Sequence, residues 1–128
     1  VSDVLRQLRD TRILEEVLTA PVAVLYKHST RCGVSSGSLI EMRQFAERHS
    51  DVPVYIIDVV ADRNIARRCA DATGVRHESP QVILLVAGHA VWDTSHFSVS
   101  CPRLERAFLE HVARSAADRE PVPPERPV

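Results

Sequence analysis

Three stretches of this chain are apolar at successive positions rather than at alternate ones: VAVLYKHS from residue 22, DVPVYIIDVV from residue 51 and VILLVA from residue 82. A strand that carries apolar side chains on both faces needs both faces covered, which calls for a sheet with helices on either side. The intervening segments supply them. RDTRILEEVLTA has helical spacing, with Asp10 or Thr11 as N-cap, Ile13, Leu14, Val17 and Leu18 as its apolar stripe, and Pro21 closing it. From Gly33 to about His49, residues Leu39, Met42 and Ala46 share one face, with Ile40 and Phe45 beside them. DRNIARRCADATG sets Ile65, Cys69 and Ala72 on one side and ends at Gly74, a helix-stopping position. A turn at Gly88 and His89 joins VILLVA to AVWDTS, where Trp92 is read as a packing residue. Pro102 opens a last helix whose stripe is Leu104, Ala107, Phe108 and Val112.

The predicted order is helix, β, α, β, α, β, β, α. Its first strand–helix–strand unit implies a parallel pair, and the later hairpin adds two strands. That arrangement is thioredoxin-like: an α/β fold with a central four-stranded mixed sheet flanked by helices and an extra N-terminal helix. The chain of 128 residues is long enough for one such domain, expected over residues 1–117. The Pro-rich, charged segment 118–128 is expected to be a disordered tail. A formal net charge of -1 gives no general attraction to nucleic acid or anionic membrane, and neither is expected as a partner. No apolar run is long enough to span a bilayer, and the charged N-terminus VSDVLRQLRD does not read as a signal peptide. Three widely separated cysteines form no disulfide framework, which points to a reducing, cytoplasmic setting.

Cys32 sits where the first apolar strand gives way to the small polar residues that open a helix. No second cysteine lies nearby; Ser35 occupies the position three residues on. Unpaired N–H groups and the positive end of a helix dipole favour thiolate, the nucleophilic form of cysteine. Arg31, Lys27 and His28 add basic groups close in sequence, and Lys27 is the one lysine in the chain. The alternative is a cysteine acting as a small hydrophobe in a strand–helix turn, but Ser29, Thr30, Arg31, Ser35, Ser36 and Ser38 are too polar for a core segment. Pro80, in HESPQVILLV, precedes a buried strand and cannot supply a ladder N–H there. In a thioredoxin-like fold this is the place of a cis proline facing the redox cysteine, with the backbone of the preceding Ser79 free to pair with an extended substrate. An ordinary trans proline at a strand start is the other reading. His28, His77 and His96 are expected at the same end of the sheet as a polar rim. They lack the spacing of a zinc site, so no metal is expected. Cys69 reads as core; Cys101 reads as structural, with a distant resolving thiol as its alternative.

KHSTRCGVS, followed by VRHESPQVILL and AVWDTSHFSVS, resembles the monothiol bacilliredoxin family, the YtxJ-like proteins of the bacillithiol redox system. The likeness runs from about Asp3 to Ala113. It implies a thioredoxin-like fold, a cytosolic thiol–disulfide oxidoreductase, Cys32 as redox cysteine and Pro80 in cis. It also implies a substrate pocket shaped by Lys27, His28, Thr30, Arg31, Ser35, His77, Glu78, Ser79, Pro80, Ser95 and His96. No tightly bound cofactor is implied. Bacillithiol is the co-substrate, the partners are bacillithiolated proteins, and another redoxin or a reductase recycles the enzyme. Lys27 and Arg31 are expected to meet the malate carboxylates of bacillithiol. The sequence departs from the family pattern in having Gly33 directly after the cysteine and in carrying Cys69 and Cys101 as extra thiols.

Two other functions are compatible with these residues. RCGVS is similar to the Cys-Gly-Phe-Ser signature of monothiol glutaredoxins, which carry an iron–sulfur cluster between two subunits. A thioredoxin-fold adaptor without redox turnover is the third reading.

Overall fold

The computed structural model describes residues 4–30 and 33–113. The expected tail, and with it the proposed domain boundary at residue 117, lies outside the described residues. A five-stranded sheet forms the centre, in the order β1-β3-β2-β4-β5. Its strands are β1 (Leu5–Gln7), β2 (Val22–His28), β3 (Val54–Asp58), β4 (Gln81–Val86) and β5 (His89–Ser95). The helices are α1 (Thr11–Thr19), α2 (Gly33–Arg48), α3 (Arg63–Thr73) and α4 (Cys101–Phe108), the last running on into a wider π-helical turn at Leu109–Ala113. β1 and β2 both lie parallel to β3, whereas β4 runs antiparallel to β2 and to β5.

The continuous apolar runs fill both faces of this sheet, as their lack of alternation requires. Val24, Tyr26 and Leu84 point to one side, where Met42 and Phe45 of α2 and Leu104 of α4 close over them. Ala23, Leu25, Ile83 and Leu85 point to the other, against Leu14 and Val17 of α1 and Cys69 of α3. Asp10 caps α1 as expected, its Oδ1 accepting from the Ile13 N–H at 2.9 Å. Gly74 stops α3 in the left-handed conformation at φ +71°, and its N–H donates to the Ala70 carbonyl.

Two expectations are corrected. The sheet has a fifth strand, because Leu5 buries its side chain beside β3 while its neighbours face solvent. Ile40 does not join the inward face of α2 but is 68% exposed.

Candidate functional site

The strand β2 ends at His28, and α2 begins at Gly33, the residue that follows Cys32 in the chain. Cys32 and Arg31 lie outside the described residues; the site is built from what surrounds them. Ser29 and Ser35 bracket that segment, and the Ser29 N–H donates to Ser35 Oγ at 3.2 Å. Ser35 is wholly buried and so does not line a surface. Thr30 is exposed.

Tyr26 ties the first turns of α2 to the strand. Its hydroxyl lies 3.0 Å from His28 Nδ1 and 2.5 Å from Ser38 Oγ, and donates to the Ser35 carbonyl at 3.1 Å. The sequence reading missed Tyr26 and Ser38. A lone phenol in an apolar strand, six residues before the cysteine, was the available signal, since a buried tyrosine hydroxyl seeks a partner.

The Ser79–Pro80 peptide is cis. The loop that carries it is gripped from the far side by the end of β5. The His96 N–H donates to the Pro80 carbonyl at 2.8 Å, and His96 Nε2 lies 3.1 Å from Glu78 Oε2. His96 adopts a left-handed backbone, φ +57°, which is uncommon for a residue with a Cβ and turns the chain back toward the loop. Ser95 pairs in register with Gln81, the first residue after the proline. Glu78, Ser79, Pro80, Ser95 and His96 therefore form one cluster. Beside it runs a groove of about 500 Å³ between α2 and the turn after β5, lined by Gly33, Val34, Glu41, His96 and Phe97. Phe97 is 87% exposed there. Neither Phe97 nor Glu41, whose carboxylate accepts from the Cys101 N–H at 3.0 Å, was singled out from sequence.

Lys27 is the clearest correction. Two residues beyond Leu25 along β2, it shares that residue's face and so points to the α1/α3 side of the sheet, away from α2. It is 0% exposed and cannot meet a ligand at the surface. Its Nζ lies 3.4 Å from His77 Nδ1, which places His77 with Lys27 rather than with the His96 cluster. Burial lowers the Lys27 pKa, against an opposing pull from Cys69, Asp93 and Glu78. Gln81, directly across from Lys27 on β4, is also buried; its Nε2 donates to the Arg76 carbonyl and its Oε1 is unpartnered. His28, on the opposite face, has its pKa lowered by burial, countered in part by Asp58. Burial and then Lys27 lower that of His77.

The other two thiols are poor nucleophiles. Cys69 is wholly buried in α3, and burial pushes its pKa up to about 11. Cys101 is wholly buried at the start of α4, its pKa raised first by burial and then by Glu105. Both are free thiols. Among the described residues, no three His, Cys, Asp or Glu side chains gather where they could hold a metal ion. Among the same residues, no helix is long and apolar enough to cross a membrane.

Comparison with known proteins agrees with this anatomy. A solved structure described as having a thioredoxin fold is 29% identical and superposes with a TM-score of 0.74, covering 81% of this chain and 93% of that one. A thioredoxin from Halobacterium salinarum matches at 21% identity and a TM-score of 0.69, covering 96% and 98% of the two chains. Thioredoxin from Trypanosoma brucei brucei, at 14% identity, gives a TM-score of 0.69 over 86% of this chain and 91% of that one. These last two show the fold, which is that of thioredoxin. The family described as monothiol bacilliredoxin BrxC matches residues 5–104, the segment that holds the whole sheet, the cis proline and Cys32. The chain belongs to the monothiol bacilliredoxin family.

Proposed function

We infer that this protein is a monothiol thiol–disulfide oxidoreductase that removes bacillithiol from S-bacillithiolated proteins in a reducing cytosol, with Cys32 as its nucleophile. Membership of the family supplies the reaction class. The observation that carries the one-thiol cycle is the burial of every other sulfhydryl: Cys69 and Cys101 are both 0% exposed, and Ser35 stands where a two-cysteine redoxin has its resolving thiol. An adduct on Cys32 therefore has no internal thiol at hand and must be resolved from outside.

The Cys32 thiolate attacks the bacillithiol sulfur of a protein–bacillithiol disulfide. That S–S bond breaks, the repaired protein leaves as thiolate, and bacillithiol remains on Cys32. A second bacillithiol thiolate then attacks the adduct, which restores Cys32 and releases bacillithiol disulfide for a separate reductase. Two electrons pass from bacillithiol to the protein substrate over one cycle. Residues of α2 that follow Cys32 contribute the helix-dipole field that favours the thiolate. The backbone of Ser79, before the cis proline, is the edge with which an extended substrate strand pairs. With Lys27 buried, Arg31 is the cation of the motif left for carboxylates.

Cys32→Ser should abolish de-bacillithiolation of a bacillithiolated model protein, followed by release of the small thiol. Turnover by that variant at the wild-type rate would refute the assignment.

A further inference from the structure

His28 belongs to a second recess that the thiol chemistry does not use. β1, β3 and β2 are neighbouring parallel strands; His28 and Asp58, the last residues of β2 and β3, pair in register, and Gln7 ends β1 beside Ile56, two residues earlier on β3. In open α/β sheets the crevice outside the carboxyl ends of parallel strands is a preferred ligand site. Here that crevice is a cavity of about 390 Å³, lined by Gln7, Arg9, His28, Ile56, Asp58 and Asp62.

The lining is mixed in charge and largely unspent. Asp58 Oδ1 is held by the N–H groups of Val60 and Ala61, which fixes the far wall. Asp62 precedes α3, yet its carboxylate makes no capping hydrogen bond. The side chains of Gln7 and Arg9 make no hydrogen bond or ion pair among the described residues. His28 uses Nδ1 toward the Tyr26 hydroxyl, which leaves Nε2 for a ligand. Because the Tyr26 hydroxyl donates to the Ser35 carbonyl, Nδ1 is the nitrogen that donates to it, and the neutral imidazole that burial favours accepts at Nε2. Ile56 supplies an apolar floor. A guanidinium, a carboxylate, an amide and an imidazole around one apolar side chain match a sugar that carries carboxylate, amide and hydroxyl groups. They do not match an apolar ligand or a simple anion.

Resting on the exchange reading above, we propose that this cavity binds the glucosaminyl-malate portion of bacillithiol. Arg9 takes a malate carboxylate, Asp62 and Gln7 take the sugar hydroxyls, and the sugar ring lies on Ile56. Four peptide units join His28 to Cys32, so the two Cα atoms are at most about 14 Å apart, a span that a thiol of this size bridges. Tyr26 links His28 to Ser35 and Ser38 of α2, so the recess and the helix after Cys32 share one hydrogen-bonded frame.

The test is an NMR titration of the full chain with N-acetylglucosaminyl malate, which has no thiol and keeps the amide nitrogen of bacillithiol, alongside Arg9→Ala and Asp62→Asn. The amides of Gln7, Arg9 and Asp62 should shift. Arg9→Ala should weaken binding about tenfold, the loss expected for one charge-assisted contact, while Cys32 alkylation by iodoacetamide stays at the wild-type rate. Shifts confined to Glu41, Phe97 and their neighbours, or none, would overturn the site even where bacillithiol still forms an adduct on Cys32. Intact binding without any such adduct would instead overturn the exchange reading and leave the recess standing.

Discussion

At the scale of single residues, Lys27 is the one charged side chain that is buried among the described residues. Its ammonium is removed from water and has one hydrogen-bond partner among the described residues, His77 at 3.4 Å. Burial lowers its pKa below 10.5, so at alkaline pH the unfolded chain binds more protons here than the folded one. Stability from this group therefore rises with pH between the lowered folded value and the unfolded value, and below that window the full penalty is present. Lys27→Met keeps the aliphatic length and removes the charge. It should match or exceed the wild-type stability at pH 7, with a gain on the order of 1 kcal/mol, and it should lose the alkaline rise. Urea denaturation at pH 7 and pH 10 measures both. A variant clearly less stable at pH 7 would show that the buried ammonium holds the 75–80 loop more strongly than its desolvation opposes folding.

At the scale of elements, the hairpin β4–β5 is the most sharply specified piece. Ala87 and Gly88 both take positive φ, +50° and +80°, the pairing that a tight two-residue hairpin turn demands. A Cβ on Gly88 would stand 2.5 Å from the Leu18 carbonyl oxygen of α1, a backbone atom that cannot swing aside. Gly88→Ala should therefore destabilise the protein by more than the ~1–2 kcal/mol of left-handed backbone strain alone. Thermal melts beside Gly74→Ala, whose Cβ would meet open space at φ +71°, isolate the steric part. Equal losses in the two variants would show that the turn can move away from α1.

The elements themselves were legible because their patterns are unambiguous. Continuous apolar runs gave the three central strands, and Asp10, Gly74 and Pro102 marked helix ends where the structure has them. β1 was not legible: three residues with a single buried side chain carry no periodicity to detect. In the site, the family resemblance named Pro80, Ser95 and His96 together, but their hydrogen-bonded pairing is seen only in the structure. The direction of Lys27 was not legible either, although strand parity held the answer. If β2 runs unbroken to His28, Lys27 must share a face with Ala23 and Leu25. Nearness in sequence to Cys32 masked that alternation. The cavity at Gln7, His28 and Asp58 gathers the ends of three strands distant in sequence, and no local motif announces such a place.

At the scale of the molecule, the sheet separates two chemistries. The α2/α4 side carries the network from Tyr26 to Ser35 and Ser38, and the groove beside Phe97. The α1/α3 side encloses Lys27, Gln81 and Cys69 away from solvent. One accessible thiol with external resolution is the claim on which this arrangement turns. Its most direct test is the intact mass of the protein, with peptide mapping, after incubation with bacillithiol disulfide. The account predicts one bacillithiol per chain, located on Cys32, with Cys69 and Cys101 still reduced. An unmodified chain, or one lighter by two hydrogens through an internal disulfide from Cys32 to Cys69 or Cys101, would contradict it.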